Sequence, residues 1–155
     1  IKHTSRATLT MLERVPEDRL DWKPHEKSMT LGRLVSHVAE LTQWIQFILN
    51  EPGYDFASRL FNRRNAETKE ELLLIFDDNI REALLLLGTA TDELLNEKWT
   101  MRNGDQVMFN LPRKVAIREL VMNHIIHHRG QLSVYLRLLN IPVPGMYGQS
   151  ADEKG

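Results

Sequence analysis

Apolar residues recur along most of this chain at the three- and four-residue spacing of amphipathic helices. Leu9, Leu12 and Val15 mark a first helix over residues 1–15, which Pro16 stops. The segment is short and begins without Met, which leaves open residues before Ile1. The polar stretch PEDRLDWKPHEKS comes next as a loop. Thr30 is placed to N-cap a second helix running to about Leu49, with Leu31, Leu34, Val38, Leu41, Ile45 and Ile48 on one stripe. Glu51-Pro52-Gly53 ends it, and an arginine-rich connection leads to a third helix that starts at Thr68. There Leu72, Phe76, Ile80, Ala83, Leu84 and Leu87 share a face, and Gly88 is expected as the terminator. A helical turn is expected over residues 92–96. Asn103-Gly104 then forms a two-residue hairpin turn between β-prone flanks. Pro112 suits the first turn of the fourth and longest helix, which ends near Asn140 before Pro142 and Pro144. Four amphipathic helices and one small hairpin predict an all-α fold, a four-helix bundle in a single domain over residues 1–155.

Composition narrows the function classes. At 155 residues, with 42% hydrophobic and 26% charged residues, the chain can bury one substantial core. Its formal net charge of −1 gives no global pull towards nucleic acid or an anionic membrane. Arg59, Arg63 and Arg64 cluster in the connection, where a solvated loop accounts for them better than a phosphate site. No segment has the roughly 18 unbroken apolar residues of a membrane span, and no signal peptide is visible. The absence of cysteine removes disulfides, thiolate ligands and a Cys nucleophile together, and fits a cytoplasmic location.

The candidate chemistry lies in the histidines. His124 and His128 stand one helical turn apart, on a face shared with Ile117, Leu120, Val121, Tyr135, Leu138 and Leu139 at roughly 100° per residue. Two neutral imidazoles at that spacing can converge on one ion, although two hydrogen-bonded core histidines would show the same spacing. Ile125 occupies the position where a zincin has its catalytic Glu, which counts against peptidase chemistry. His37, on the flank of the second helix's stripe, can supply a third ligand from a facing helix. Three ligands leave a coordination position open. His127 projects off the pair's face, and His3 and His25 belong to a terminus and a loop, where solvated side chains are expected. Imidazole ligands suit Zn, Ni, Fe, Co or Cu, and the sequence does not choose among them.

Residues 28–40 (SMTLGRLVSHVAE), 123–132 (NHIIHHRGQL), 142–153 (PVPGMYGQSADE) and 21–25 (DWKPH) together resemble the motifs of the DinB-like (damage-inducible, YfiT-like) metalloenzymes. The resemblance runs from about Val15 to the C-terminus. It implies an up-down-down-up bundle with a long crossover, a homodimer, and a metal held by His37, His124 and His128. Those relatives with an assigned activity are thiol S-transferases, using bacillithiol or another small thiol, and a mycothiol-dependent maleylpyruvate isomerase.

The resulting expectation is a metal-dependent S-transferase whose sulfur comes from a low-molecular-weight thiol cosubstrate, since the chain has no Cys. Glu40 and Gln131, each one turn from a proposed ligand, are candidates to orient the imidazoles or accept a proton. Trp44 and Tyr135 are expected near the site, where an organic cosubstrate would meet them. A metal-dependent hydrolase on the same ligands and a non-catalytic helical dimer with a structural metal are the rival readings. Met122 and Ile126, on the back of the fourth helix, offer apolar surface for a dimer. No nucleic-acid or membrane partner is expected.

Overall fold

The computed structural model describes residues 1–153. Helices α1 (Lys2–Leu12), α2 (Leu31–Glu40), α3 (Trp44–Asn50), α4 (Lys69–Thr89), α5 (Asp92–Asn96), α6 (Arg113–Ala116) and α7 (His124–Leu138) alternate with strands β1 (Gly53–Asp55), β2 (Lys98–Asn103) and β3 (Gln106–Pro112). Threonine side chains start α2 and α4. Thr30 accepts a hydrogen bond from the Arg33 N–H at 3.2 Å, and Thr68 accepts one from the Glu71 N–H at 3.1 Å. Glu71 reaches back to the Glu67 N–H at 2.9 Å, a reciprocal arrangement close to a capping box. At the far end of α7, Asn140 takes a left-handed φ of 58°. The Ile141 N–H then bonds the Leu136 carbonyl and the Asn140 N–H the Arg137 carbonyl, which is a Schellman stop.

The expected pure all-α four-helix bundle is corrected by this architecture. Helix accounts for 58% of the chain, and a three-stranded mixed sheet of order β1-β2-β3 makes the fold a mixed one. The hairpin β2–β3 agrees with the sequence reading. Strand β1 is an addition to it: it pairs in parallel with β2, Gly53 opposite Thr100 and Asp55 opposite Arg102. Three residues carry no readable alternation, and their partner is far along the chain. Asp55 fastens the two together, accepting hydrogen bonds from the Gly104 and Ala57 N–H groups and from Arg102 Nε. Within the hairpin, Asn103 pairs with Gln106, so the turn residues are Gly104-Asp105 rather than Asn103-Gly104. Only Gly104 takes a positive φ, as the first position of a type II′ turn requires.

Three further helix expectations shift. The second helix breaks at a 3₁₀ turn over Leu41–Gln43 between α2 and α3. Gly88 lies inside α4, which ends at Thr89 with Ala90 extended, so it is not a left-handed cap. Pro112 closes β3 and precedes α6 instead of lying in its first turn.

Helix α2 packs between α4 and α7, and α1 packs against the same two helices. Leu12, Leu34, Val38, Leu72, Leu132 and Leu136 fill this helical core. A second core joins α3 to the sheet and the start of the last helical run, around Ile45, Ile48, Trp99, Ala116 and Val121. Trp99 is fully buried and donates its indole N–H to the Phe47 carbonyl at 3.2 Å. Among the described residues no helix is long and apolar enough to cross a membrane.

A Cβ at Gly53 would lie 2.4 Å from the Thr100 carbonyl oxygen, whereas one at Gly88 would meet nothing within 4 Å. Gly53→Ala should therefore destabilise by about 1–3 kcal/mol, by forcing β1 off β2. Gly88→Ala should stabilise by roughly 0.5–1 kcal/mol, by relieving the entropy cost of a helical glycine. Urea unfolding measures both, and a Gly53→Ala variant as stable as the parent would contradict the strand pairing.

Candidate metal centre

His37 stands in the last turn of α2, and His124 and His128 in the first two turns of α7. The residues just before His124 form a π-helical segment, Ile117–Asn123. The wider turn adds a residue and rotates the helix beyond it by about 100° from an uninterrupted α-helical register. The buried face accordingly runs through Ile117, Val121, Ile125, His128, Leu132 and Leu136. Leu138, expected on the histidine face, is 56% exposed.

The three histidines converge. One ring nitrogen from each lies within 4.8 Å of the other two. Nε2 of His37 and Nε2 of His124 are 3.4 Å apart, and the His128 ring lies 4.7 Å from His37 and 4.6 Å from His124 between centroids. Two nitrogens each about 2.0–2.1 Å from one tetrahedral ion are roughly 3.3–3.4 Å apart. The His37–His124 spacing therefore already suits a transition-metal ion, and His128 stands close enough to complete the donor set.

The outer ring atoms decide the tautomers. His37 Nδ1 faces Glu40 Oε1 at 3.3 Å, and His128 Nδ1 faces the Gln131 amide oxygen at 2.7 Å. Both partners are acceptors, so each Nδ1 carries the proton and each Nε2 keeps its lone pair for the centre. Burial pushes His128 down to about 4, a proton on the ring being further disfavoured by His37, His124 and His127 although Gln131 works the other way. His124 is also lowered, chiefly by burial and then by His37, while contact with the Leu120 backbone opposes this. Neutral imidazoles are the form that binds metal.

Glu40 is 3% exposed. Burial opposes its ionisation, but His37, Arg33 and the Arg64 backbone outweigh that and hold the carboxyl below the usual range. Arg33 pairs with Oε1, and the Arg64 N–H donates to Oε2 at 3.1 Å. Arg33 also donates to the Arg64 carbonyl at 2.8 Å and to Asn65 Oδ1 at 2.7 Å. Sequence reasoning named Glu40 and Gln131 but missed Arg33. The signal was present: Arg33, His37 and Glu40 lie at helical spacing on one side of α2.

His37 and His124 form part of the wall of a cavity of about 460 Å³, with His128 buried behind them. Trp44, Phe56, Phe61, Met29, Met101 and Met108 line it, joined by Arg33, Glu40 and Arg63. Trp44 thus stands where expected. Tyr135 does not, because it is core: its hydroxyl donates to the Met29 carbonyl at 3.1 Å and its ring packs on Trp22. His3, His25 and His127 are exposed and lie outside the cluster.

Comparisons with known proteins give the family and the fold. The chain is 26% identical over 133 residues to the uncharacterized protein YjoA of Bacillus subtilis, covering 84% of this chain and 80% of that one. It is 24% identical to the uncharacterized protein YrdA of the same organism, over 95% of this chain and 83% of that one. The crystal structure of the DinB-like YjoA superposes with a TM-score of 0.69 at 22% identity, covering 94% of this chain and 93% of that one. A DinB-like protein from Bacillus cereus superposes at 0.67 and 23% identity, covering 94% and 92%. The family model of the DinB family matches residues 1–154, and the chain belongs to that family.

Proposed function

We propose that this protein binds a divalent transition metal, Zn or Ni first, through Nε2 of His37, His124 and His128. We propose further that it transfers a low-molecular-weight thiol to an electrophile. The observation that carries the reading is that three imidazoles converge at the wall of an apolar cavity large enough for an organic cosubstrate. A dication held there supplies positive charge that favours the deprotonated form of a thiol.

The chain's own residues do the rest. Glu40 and Gln131 fix the His37 and His128 rings so that their lone pairs face inward. Trp44 and Phe61 offer flat surface for the body of a cosubstrate, and the cavity's methionines exclude water around it. In the transfer a carbon–sulfur bond forms as the electrophile's leaving group departs with its electron pair, and the thiol proton passes to solvent. The chain has no cysteine, so the sulfur comes from outside it. A cytoplasmic location suits this chemistry, since small thiols are kept reduced there. A two-fold homodimer is part of the same proposal. Ile126, Val134 and Leu138, spaced by multiples of four along α7, are 41%, 55% and 56% exposed and form an apolar stripe.

Turnover of an electrophile such as monochlorobimane should need both metal and a small thiol, tested with a panel of thiols. Chelation should abolish it. His37→Ala should reduce it at least about tenfold while circular dichroism stays near the parent's. Thiol conjugation no faster than background in metal-replete protein would reject the transferase reading, and metal-dependent hydrolysis without thiol would put the hydrolase in its place. Light scattering should give a dimer mass at micromolar concentration. A monomer across that range would reject the assembly.

A further inference from the structure

The three arginines of the connection between β1 and α4 have different surroundings. Arg59 donates to both carboxylate oxygens of Glu51 at 2.8 and 2.9 Å, and its guanidinium lies 4.5 Å from the centre of the Phe47 ring. Arg64 is held by its backbone, whose N–H and carbonyl engage Glu40 and Arg33. Arg63 lines the cavity beside the metal centre, and no carboxylate among the described residues pairs with it. The other cation on that wall, Arg33, is neutralised by Glu40.

Flat apolar surface stands next to Arg63. Phe61 stacks on Trp44 with ring centroids 4.9 Å apart and planes 6° from parallel. Phe56 tilts against the same indole at 6.0 Å. The loop that carries Phe61 and Arg63 is anchored next to them, by Glu40 and Arg33 at Arg64 and by Ser36 Oγ accepting from the Ala66 N–H at 2.9 Å. The backbone that carries the ring surface and one exposed, uncompensated cation is therefore anchored at the rim of the histidines' cavity.

We infer that the cavity takes a planar apolar molecule bearing one anionic group, an aromatic carboxylate or sulfonate by class, with its ring against Phe61 and Trp44 and its anion on Arg63. This rests on the proposed function and names the scaffold of its electrophile, which carries the leaving group of the transfer as well as the anion: the thiol occupies the metal side and Arg63 selects the charge of its partner. Specificity of this kind comes from an isolated charge that a neutral analogue leaves unpaired.

The test is calorimetric titration of the full, metal-replete chain with 1-naphthoate and with its neutral counterpart 1-naphthamide. The parent should bind naphthoate roughly fivefold more tightly, the scale of one partly exposed ion pair. Arg63→Gln should abolish that preference while leaving naphthamide binding unchanged. Phe61→Ala should weaken both ligands roughly fivefold, the scale of one aromatic contact. Equal binding of the two by the parent, or a preference that survives Arg63→Gln, would overturn the inference. Repeating the titrations after chelation separates the two proposals. A preference that persists without metal and still needs Arg63 supports the inference. One that vanishes with the metal and ignores Arg63 assigns the anion to the metal, overturning this inference and leaving the metal reading intact. Protein that never retains metal, yet keeps an Arg63-dependent preference, counts against the metal reading alone.

Discussion

The rest of the site depends on one buried carboxylate. Glu40 has left water almost completely, and an isolated charge there would be strongly destabilising. Arg33, His37 and the Arg64 N–H surround it and compensate it. The compensation constrains structure in two directions at once. Towards the bundle it fixes the ring of His37 and its tautomer. Towards the surface it fixes the connection whose residues Phe61 and Arg63 wall the cavity. Removing the charged partner Arg33 from such a cluster typically costs about 3–5 kcal/mol, because the carboxylate is left buried without its counter-ion. The orientation of His37 and the shape of the cavity are therefore not independent properties of this chain.

The opposite half of the centre is set by packing. Helix α7 lies against α2, and the π-helical segment before it sets the angle at which His124 and His128 meet His37. π-Helical turns are uncommon and recur at functional sites. Burial then keeps His124 and His128 neutral, as a cation site requires. The sheet contributes from a distance: β2 supplies Met101 and β3 supplies Met108 to the cavity. The departure from a purely helical bundle is thus part of the cavity wall.

Local signals explain the legible part of the sequence. Thr30 and Thr68 announce their helices because a capping hydroxyl and its target N–H are three residues apart. The i, i+4 spacing of His124 and His128, with His37 on another amphipathic stripe, is enough to name the trio. The illegible part is set by long-range geometry. Strand β1 exists only through its pairing with β2 and the Asp55 clasp. The 3₁₀ break after Glu40 and the π segment before His124 leave the apolar spacing almost unchanged, yet both redirect side chains. Helical arithmetic alone places Tyr135 at the site, but it stands about two turns beyond His128 along α7, where Trp22 and the Met29 carbonyl hold it in the core. In the sequence Arg63 is one of three loop cations. Only the fold distinguishes it from Arg59, which Glu51 neutralises.

The proposed function puts one metal ion on these three rings and on no other histidine. Elemental analysis of purified, metal-replete protein tests it most directly, comparing the parent with His37→Ala, His124→Ala, His128→Ala and His127→Ala. About one equivalent of metal is expected in the parent and in His127→Ala, with loss of most of it in each of the other three. Equal loss from all four variants, or full retention in His37→Ala, would contradict it.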